Sequence, residues 1–104
     1  MSTTPMRTAK PPRGVKYDVG KRRYDLLPWE QIDEVVDVLT FGAAKYADDN
    51  WKIVPDKTKR YKAALGRHIS AYMQGEQLDK EDGKSHLAHA VCCAIFLMWG
   101  DKHG

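Results

Sequence analysis

From Trp29 onward the apolar positions of this chain fall at helical spacing. Trp29, Ile32, Val36, Leu39, Ala43 and Tyr46 recur at alternating steps of three and four, which predicts a helix with one apolar stripe. Pro28 suits the first turn of such a helix, because the amide it lacks would have no partner there. Ala47-Asp48-Asp49-Asn50 breaks the stripe, and Trp51 to Pro55 reads as a connection. A second stripe of Tyr61, Ala64, Leu65, His68, Ile69 and Tyr72 predicts a second helix, which Gly75 ends.

The third element differs in kind. With Asp82 or Ser85 as its cap, the stretch from Leu87 through Ala90, Val91, Ala94, Ile95, Phe96, Leu97 and Met98 is apolar nearly all round. A helix without a wet face is buried on several sides. With two partner helices of its own, it finds the remaining cover in another copy of the chain. No alternating strand and no internal repeat is present. The expected fold is therefore all-α, a small bundle of about three main helices completed by oligomerisation.

Ahead of the helices, residues 1–16 combine Thr, Pro, Arg, Lys and Gly with almost nothing to bury, which predicts a flexible basic arm. The stretch Lys16 to Pro28 is too short and mixed for a helix and suits an extended segment lying across a surface. Residues 17–104 make one small domain.

The arm also accounts for the charge. The chain carries 17 basic and 14 acidic side chains. Arg7, Lys10, Arg13 and Lys16 all lie in the arm, so the folded part is close to neutral. Nucleic acid is thus not the expected partner, since a basic tail argues less for it than a basic folded face. Cys92 and Cys93 are adjacent in a helical run, where their side chains point apart, so no disulfide is expected. The apolar run Ala88 to Trp99 is too short to span a bilayer, and no signal peptide opens the chain. The expected setting is the cytoplasm, with no membrane partner.

Candidate chemistry concentrates between His68 and His89, a span holding three of the four histidines together with Glu76, Asp79, Glu81 and Asp82. The histidines fall on the second and third helices and the acids fill the Gly75 to Gly83 connection, so folding the hairpin brings both sets toward one point. Such a point suits a divalent ion, Mg²⁺ or Mn²⁺, because carboxylates on neighbouring elements hold these ions against a bound phosphate. Glu76 and Asp79 stand three apart, on one side if the second helix continues that far. His86 and His89, also three apart, share a face of the third helix. The plainer alternatives are a solvated acidic loop and hydrogen-bonded core histidines; three imidazoles converging on one acidic hairpin fit them less well. Lys45 and Arg67 are candidates for holding phosphate. Tyr46, Asn50 and Trp51 are candidates for contacting a base, although a tryptophan that covers a helix edge is the commoner arrangement. The sequence contains no Gly-rich phosphate loop, nucleophile elbow, four-cysteine zinc pattern or His-Asp doublet.

Seven short motifs carry a resemblance. They are Asp18-x-Gly-Lys21, Asp25-Leu-Leu-Pro28, Phe41-Gly-Ala-Ala-Lys45-Tyr46, Asn50-Trp51, Ala63-Ala-Leu-Gly-Arg67-His68, Gly75-Glu76-x-x-Asp79 and His86-Leu-Ala-His89-Ala. In this order and spacing, from about Lys16 to Trp99, the chain resembles the phage-associated dATP/dGTP diphosphohydrolase, N-terminal domain family. More distantly it is similar to the MazG-like nucleotide pyrophosphohydrolases, which hold magnesium on a four-helix bundle through a Glu-Glu-x-x-Glu helix and a later Glu-x-x-Asp. The present chain departs from that pattern, with Arg67-His68 and His86-x-x-His89 on the corresponding helices. Asp33-Glu34-x-x-Asp37 imitates the first motif from the polar side of the first helix and is left out of the site. Lys84 stands where the family has an apolar residue, and the family's asparagine near Cys93 is missing.

The resemblance implies metal-dependent hydrolysis of purine deoxynucleoside triphosphates to monophosphate and pyrophosphate, adjusting the nucleotide pool in phage infection. Glu76, Asp79, His86 and His89 would hold the metal, and Glu81 or His68 would take a proton from water. Lys45 and Arg67 would hold the leaving pyrophosphate, with Tyr46, Asn50 and Trp51 against the base. The competing expectations are a non-catalytic nucleotide sponge and a host-interaction protein.

Overall fold

The computed structural model describes residues 13–104. Most of the expected arm, residues 1–12, lies outside the described residues. Three helices form the body, α1 at Trp29–Lys45, α2 at Lys57–Met73 and α3 at His86–His103, and short 3-10 turns occupy Tyr24–Leu26 and Asn50–Lys52. Among the described residues there is no strand, only an isolated antiparallel bridge between Leu78 and Ser85. The fold is a small all-α bundle, as the periodicity predicts, and none of its helices is long and apolar enough to cross a membrane.

α3 is the central helix. It packs most extensively against α2 and less against α1. The core joins Val35 and Val38 of α1 to Ala88 and Cys92 of α3, with Leu39 and Phe96 packed beside them. Small residues on α3 let α1 approach closely enough for the Cys92 thiol to meet the Val35 carbonyl oxygen at 3.5 Å. This arc is not the one the stripe predicts, since Trp29 and Val36 are about half exposed whereas Val35 and Val38 are buried. α1 carries apolar groups on both sides of Ile32, and the fit to Ala88 and Cys92 selects one of them. Among the described residues, Leu87, Val91, Ile95 and Met98 of α3, at helical offsets, form a face that stays partly exposed.

Local signals fix the helix ends. Pro28 sits one position ahead of the first helical residue, and its carbonyl accepts from the Gln31 and Ile32 amides. The connection to α2 turns at Asp49 and Asp56, both at positive φ, where aspartate is among the better tolerated non-glycine residues. α2 ends in a Schellman arrangement: the Glu76 amide donates to the Ala71 carbonyl, the Gly75 amide to that of Tyr72, and Gly75 takes φ 96°. The helix therefore stops before Glu76, so the Glu76–Asp79 segment is not helical. Ser85 caps α3, its hydroxyl accepting from the Ala88 amide at 3.2 Å.

Candidate metal centre

The hairpin between α2 and α3 is held by its backbone. The His86 amide donates to the Gln77 carbonyl at 3.0 Å, and the Asp79 amide to that of Lys84 at 2.7 Å. Two aspartates add side-chain turns: Asp79 Oδ1 accepts from the Glu81 amide at 2.7 Å, and Asp82 Oδ1 from the Lys84 amide at 2.9 Å. α1 fastens the outside, with Lys45 Nζ 3.2 Å from Glu81 Oε1 and Lys84 Nζ 5.7 Å from the Phe41 ring centre. Each carboxylate consequently has a defined direction.

His86 lies at the middle of the cluster, 5 % exposed. Its Nε2 is 2.6 Å from Glu76 Oε2. An ionised carboxylate can only accept, so Nε2 carries a proton, and in the tautomer with that proton alone the lone pair lies on Nδ1. That Nδ1 lies 2.9 Å from His68 Nδ1. Asp79 Oδ2 faces both nitrogens, 3.8 Å from His68 Nδ1 and 3.9 Å from His86 Nδ1, too far for a hydrogen bond to either. The triangle of these three atoms nevertheless has a centre about 2.1 Å from every corner, the distance at which transition-metal ions take imidazole nitrogen and carboxylate oxygen. The donor atoms are thus spaced for a common cation.

A second group adjoins the first. His89 Nε2 lies 2.7 Å from Asp82 Oδ2, and its ring stacks on that of His68, with centroids 4.5 Å apart and planes 7° from parallel. Asp79, Asp82 and His89 each present a ligand atom within 4.8 Å of the others, as do His68, Asp79 and His86.

The electrostatics favour a neutral His68 imidazole beside ionised Glu76 and Asp82 carboxylates, the form a metal needs. Burial pushes the His68 pKa down, and His89, His86 and Arg67 add to this against the opposing Asp79. The hydrogen bond from His86 holds Glu76 below the usual carboxylate range. Burial works to raise the Asp82 carboxyl, but the Lys84 amide and His89 outweigh it, leaving Asp82 lowered as well. The amino end of α3 adds a positive dipole beside all three acids.

The structure brings together His68, Glu76, Asp79, His86 and His89 from the sequence expectation and adds Asp82. That residue reads in sequence as a helix cap; with Ser85 as the cap, its carboxylate turns to His89 instead. Glu81 points away from the imidazoles toward Lys45 and is largely exposed. Arg67 lines a shallow surface depression with Gly66, Ser70, Ala71, Gln74 and Glu76, bordering the cluster through Glu76. Trp51 stacks on Phe96 at 4.4 Å and meets Trp99 edge-on at 5.4 Å. Phe96 lies seven residues beyond His89, roughly 10 Å along the helix, so Trp51 serves the packing of that end. Tyr46 is 64 % exposed, its ring 5.2 Å from Lys45 Nζ, and Asn50 opens the 3-10 turn that carries Trp51.

Comparison with known proteins places these residues in a family. A relative from Salmonella phage PMBT28, named dATP/dGTP diphosphohydrolase, is 34 % identical over 86 residues, covering 83 % of this chain and 29 % of the relative. The chain thus spans less than a third of that relative's length. No solved structure matches it. The family described as dATP/dGTP diphosphohydrolase, N-terminal, matches residues 11–104, nearly all of the sequence and every residue of the His-carboxylate cluster, and the chain belongs to that family.

Proposed function

We propose that this chain is a metal-dependent unit that hydrolyses a purine deoxynucleoside triphosphate to monophosphate and pyrophosphate. One observation carries the reading: His68, Asp79 and His86, from three separate segments, place their donor atoms around one centre at metal-ligand distance. The relative's name supplies the substrate class. Two imidazoles and one carboxylate suit manganese or another transition metal better than magnesium, which prefers oxygen donors.

A bound divalent ion would supply a Lewis acid for a phosphate oxygen and lower the pKa of water. The chain does the rest. Glu76 fixes His86 in the Nε2–H form, so that its Nδ1 faces the centre, and a partner of this kind typically sets ligand orientation and basicity. Arg67, on the rim beside Glu76, meets the leaving pyrophosphate, where charge grows as the bond breaks. In this reading Lys45 acts through the hairpin, holding Glu81 and with it the turn that aims Asp79. A second copy of the chain covers the Leu87, Val91, Ile95 and Met98 face.

Pyrophosphate release from dATP and dGTP with Mn²⁺ tests the reading. The expected result is turnover that Asp79→Asn lowers by orders of magnitude while helical circular dichroism is unchanged. A wild-type chain that protects the bound triphosphate and releases no pyrophosphate would be a sponge, and the proposal would fall.

A further inference from the structure

We propose that residues 15–27 form a strap that docks on a second copy of this chain, along the α3 face of Leu87, Val91, Ile95 and Met98, and brings Lys21 and Arg22 to the mouth of that copy's His-carboxylate centre. The docking stands on its own, whereas the use of the two cations against phosphate rests on the metal-dependent reading above. The sequence reads this stretch as an extended segment lying across a surface, and in the structure its own chain does not cover it. Tyr17 is 56 % exposed, Val19 fully, Tyr24 61 % and Leu26 70 %. Its shape is nevertheless defined. The Lys21 amide donates to the Asp18 carbonyl at 3.1 Å, Gly20 takes φ 85°, and the Leu26 and Leu27 amides close a turn on the Arg23 and Tyr24 carbonyls. Arg23 clasps Asp25 with two bonds of 2.9 and 2.7 Å. Among the described residues, the hydrogen bonds of this segment all stay within it. A preshaped apolar segment that its own chain leaves uncovered has the form of an element exchanged between subunits.

Two complementarities name the occupant. The first is apolar area. The strap's Tyr17, Val19, Tyr24 and Leu26 and the four α3 residues are each 40 % or more exposed. At roughly 200 Å² for a large side chain they present on the order of 1,000 Å², comparable with the about 800 Å² that one partner of a stable interface buries. A two-fold pair that exchanges straps uses both patches of both copies at once, so each patch covers the other. The second complementarity is charge. Residues 16–25 hold Lys16, Lys21, Arg22 and Arg23 against Asp18 and Asp25, four basic to two acidic. The hairpin 75–84 holds the reverse, Glu76, Asp79, Glu81 and Asp82 against Lys80 and Lys84. Opposite net charges steer the strap toward the hairpin and fix its register there.

Position then decides which cations serve the site. Leu87 follows His86 directly, so the α3 face starts at the centre itself. A strap seated on that face carries Lys21 and Arg22 between its apolar contacts Val19 and Tyr24, next to the hairpin. Arg23 is paired with Asp25, whereas Lys21 and Arg22 are exposed. The cations of the chain itself are peripheral: the Lys80 side chain is 91 % exposed beside Glu76, Lys84 lies over Phe41, and Arg67 borders the depression. A triphosphate gathers further negative charge on its leaving pyrophosphate, where added cations act most strongly. The partner's strap supplies them.

Crosslinking tests the docking without turnover. A chain with Val19→Cys and a chain of different size with Ile95→Cys, co-expressed and treated with a short bismaleimide, should give a product that joins the two sizes, while Cys92 and Cys93 stay buried. Sedimentation should show a wild-type dimer. Val19→Asp combined with Leu26→Asp should weaken association roughly tenfold or more at unchanged helical circular dichroism, since neither residue belongs to the core. A monomeric wild-type chain overturns the proposal, as does a link that forms only within single chains carrying both cysteines. The two cations are tested by mixing subunits. A hybrid of an Asp79→Asn chain with a Lys21→Ala, Arg22→Ala chain should recover pyrophosphate release that is low in both parents, because one intact strap reaches one intact centre. A hybrid no more active than its parents overturns the phosphate role. Wild-type dimers that crosslink as expected yet release no pyrophosphate from dATP or dGTP with Mn²⁺ uphold the strap and overturn the proposed function.

Discussion

Replacing Glu76 by glutamine isolates the contact that orients His86. The amide has the same shape and keeps an oxygen in reach of His86 Nε2, now 2.6 Å from the carboxylate, so packing around the 5 % exposed imidazole is preserved. What disappears is the charge. The hydrogen bond becomes a neutral one, roughly half as strong, and the glutamine amide can also rotate its NH₂ toward the ring, favouring the tautomer with the proton on Nδ1. That form has no lone pair facing His68 and Asp79. Loss of a carboxylate behind a metal-bound histidine typically weakens metal binding about 10- to 100-fold. The buried ring and the short contact put this site toward the upper part of that range. Calorimetric titration with Mn²⁺ measures the effect directly, with the helical signal and melting temperature as controls. A dissociation constant within twofold of wild type, in a variant that folds normally, would refute the argument that Glu76 sets the His86 tautomer.

Three further outcomes follow from the fold. Ser85→Ala should lower stability by about 1 kcal/mol in urea unfolding, because the Ala88 amide at the start of α3 loses its partner; an unchanged midpoint would mean that water replaces the hydroxyl. The buried Cys92 thiol has its pKa pushed up to about 12, and burial raises that of Cys93 too, so neither should react with a disulfide reagent at pH 8 until the chain unfolds, and rapid modification of the native protein would contradict the packing of α1 on α3. Acidification of the metal-free protein should destabilise it in two stages, followed by thermal melts across pH. His68 has a folded pKa below its ordinary 6.5, so stability is complete above that value and falls as the unfolded state gains a proton there. Glu76 and Asp82, with folded values below 4.5 and 3.8, contribute a second loss as pH drops further, and a melting temperature that rises below pH 6.5 would reverse the sign of the His68 argument.

Helix number and type were legible because apolar spacing over three long segments leaves no competing period. The meeting of His68, His86 and His89 was legible too, since two helices joined by a short hairpin, residues 74–85, must place the end of one beside the start of the next. Other features depended on choices that periodicity does not make. α1 has apolar groups on two adjoining arcs, and the small Ala88 and Cys92 of α3 select Val35 and Val38 over Trp29 and Val36. Asp82 and Ser85 were equal candidates to cap α3, so the carboxylate on His89 emerged only once the hydroxyl had taken the amide. Glu76 and Asp79 share a side in a helix, but the Schellman turn at Gly75 puts them on opposite edges of one imidazole, Glu76 at Nε2 and Asp79 opposite Nδ1. Trp51 carried no local sign that it would stack on Phe96.

The cluster also explains why α1 can be part of a site to which it gives no donor. Its acidic side, Asp33, Glu34 and Asp37, is exposed, so the segment that imitates a Glu-Glu-x-x-Glu motif takes no part in the His-carboxylate centre. Its contribution comes from the other end, where Lys45 pairs with Glu81 and Phe41 lies beneath Lys84. Individually these surface contacts are weak. Acting on two positions of one short turn, however, they restrict the same segment that the Asp79 and Asp82 side chains close from inside. The backbone between Asp79 and Lys84 is thereby held from two sides, and the direction of Asp79 Oδ2 toward both imidazoles follows from that restraint. Lys84 thus meets an aromatic ring through its ammonium, 5.7 Å from the Phe41 ring centre, while its backbone amide and its charge help keep Asp82 ionised.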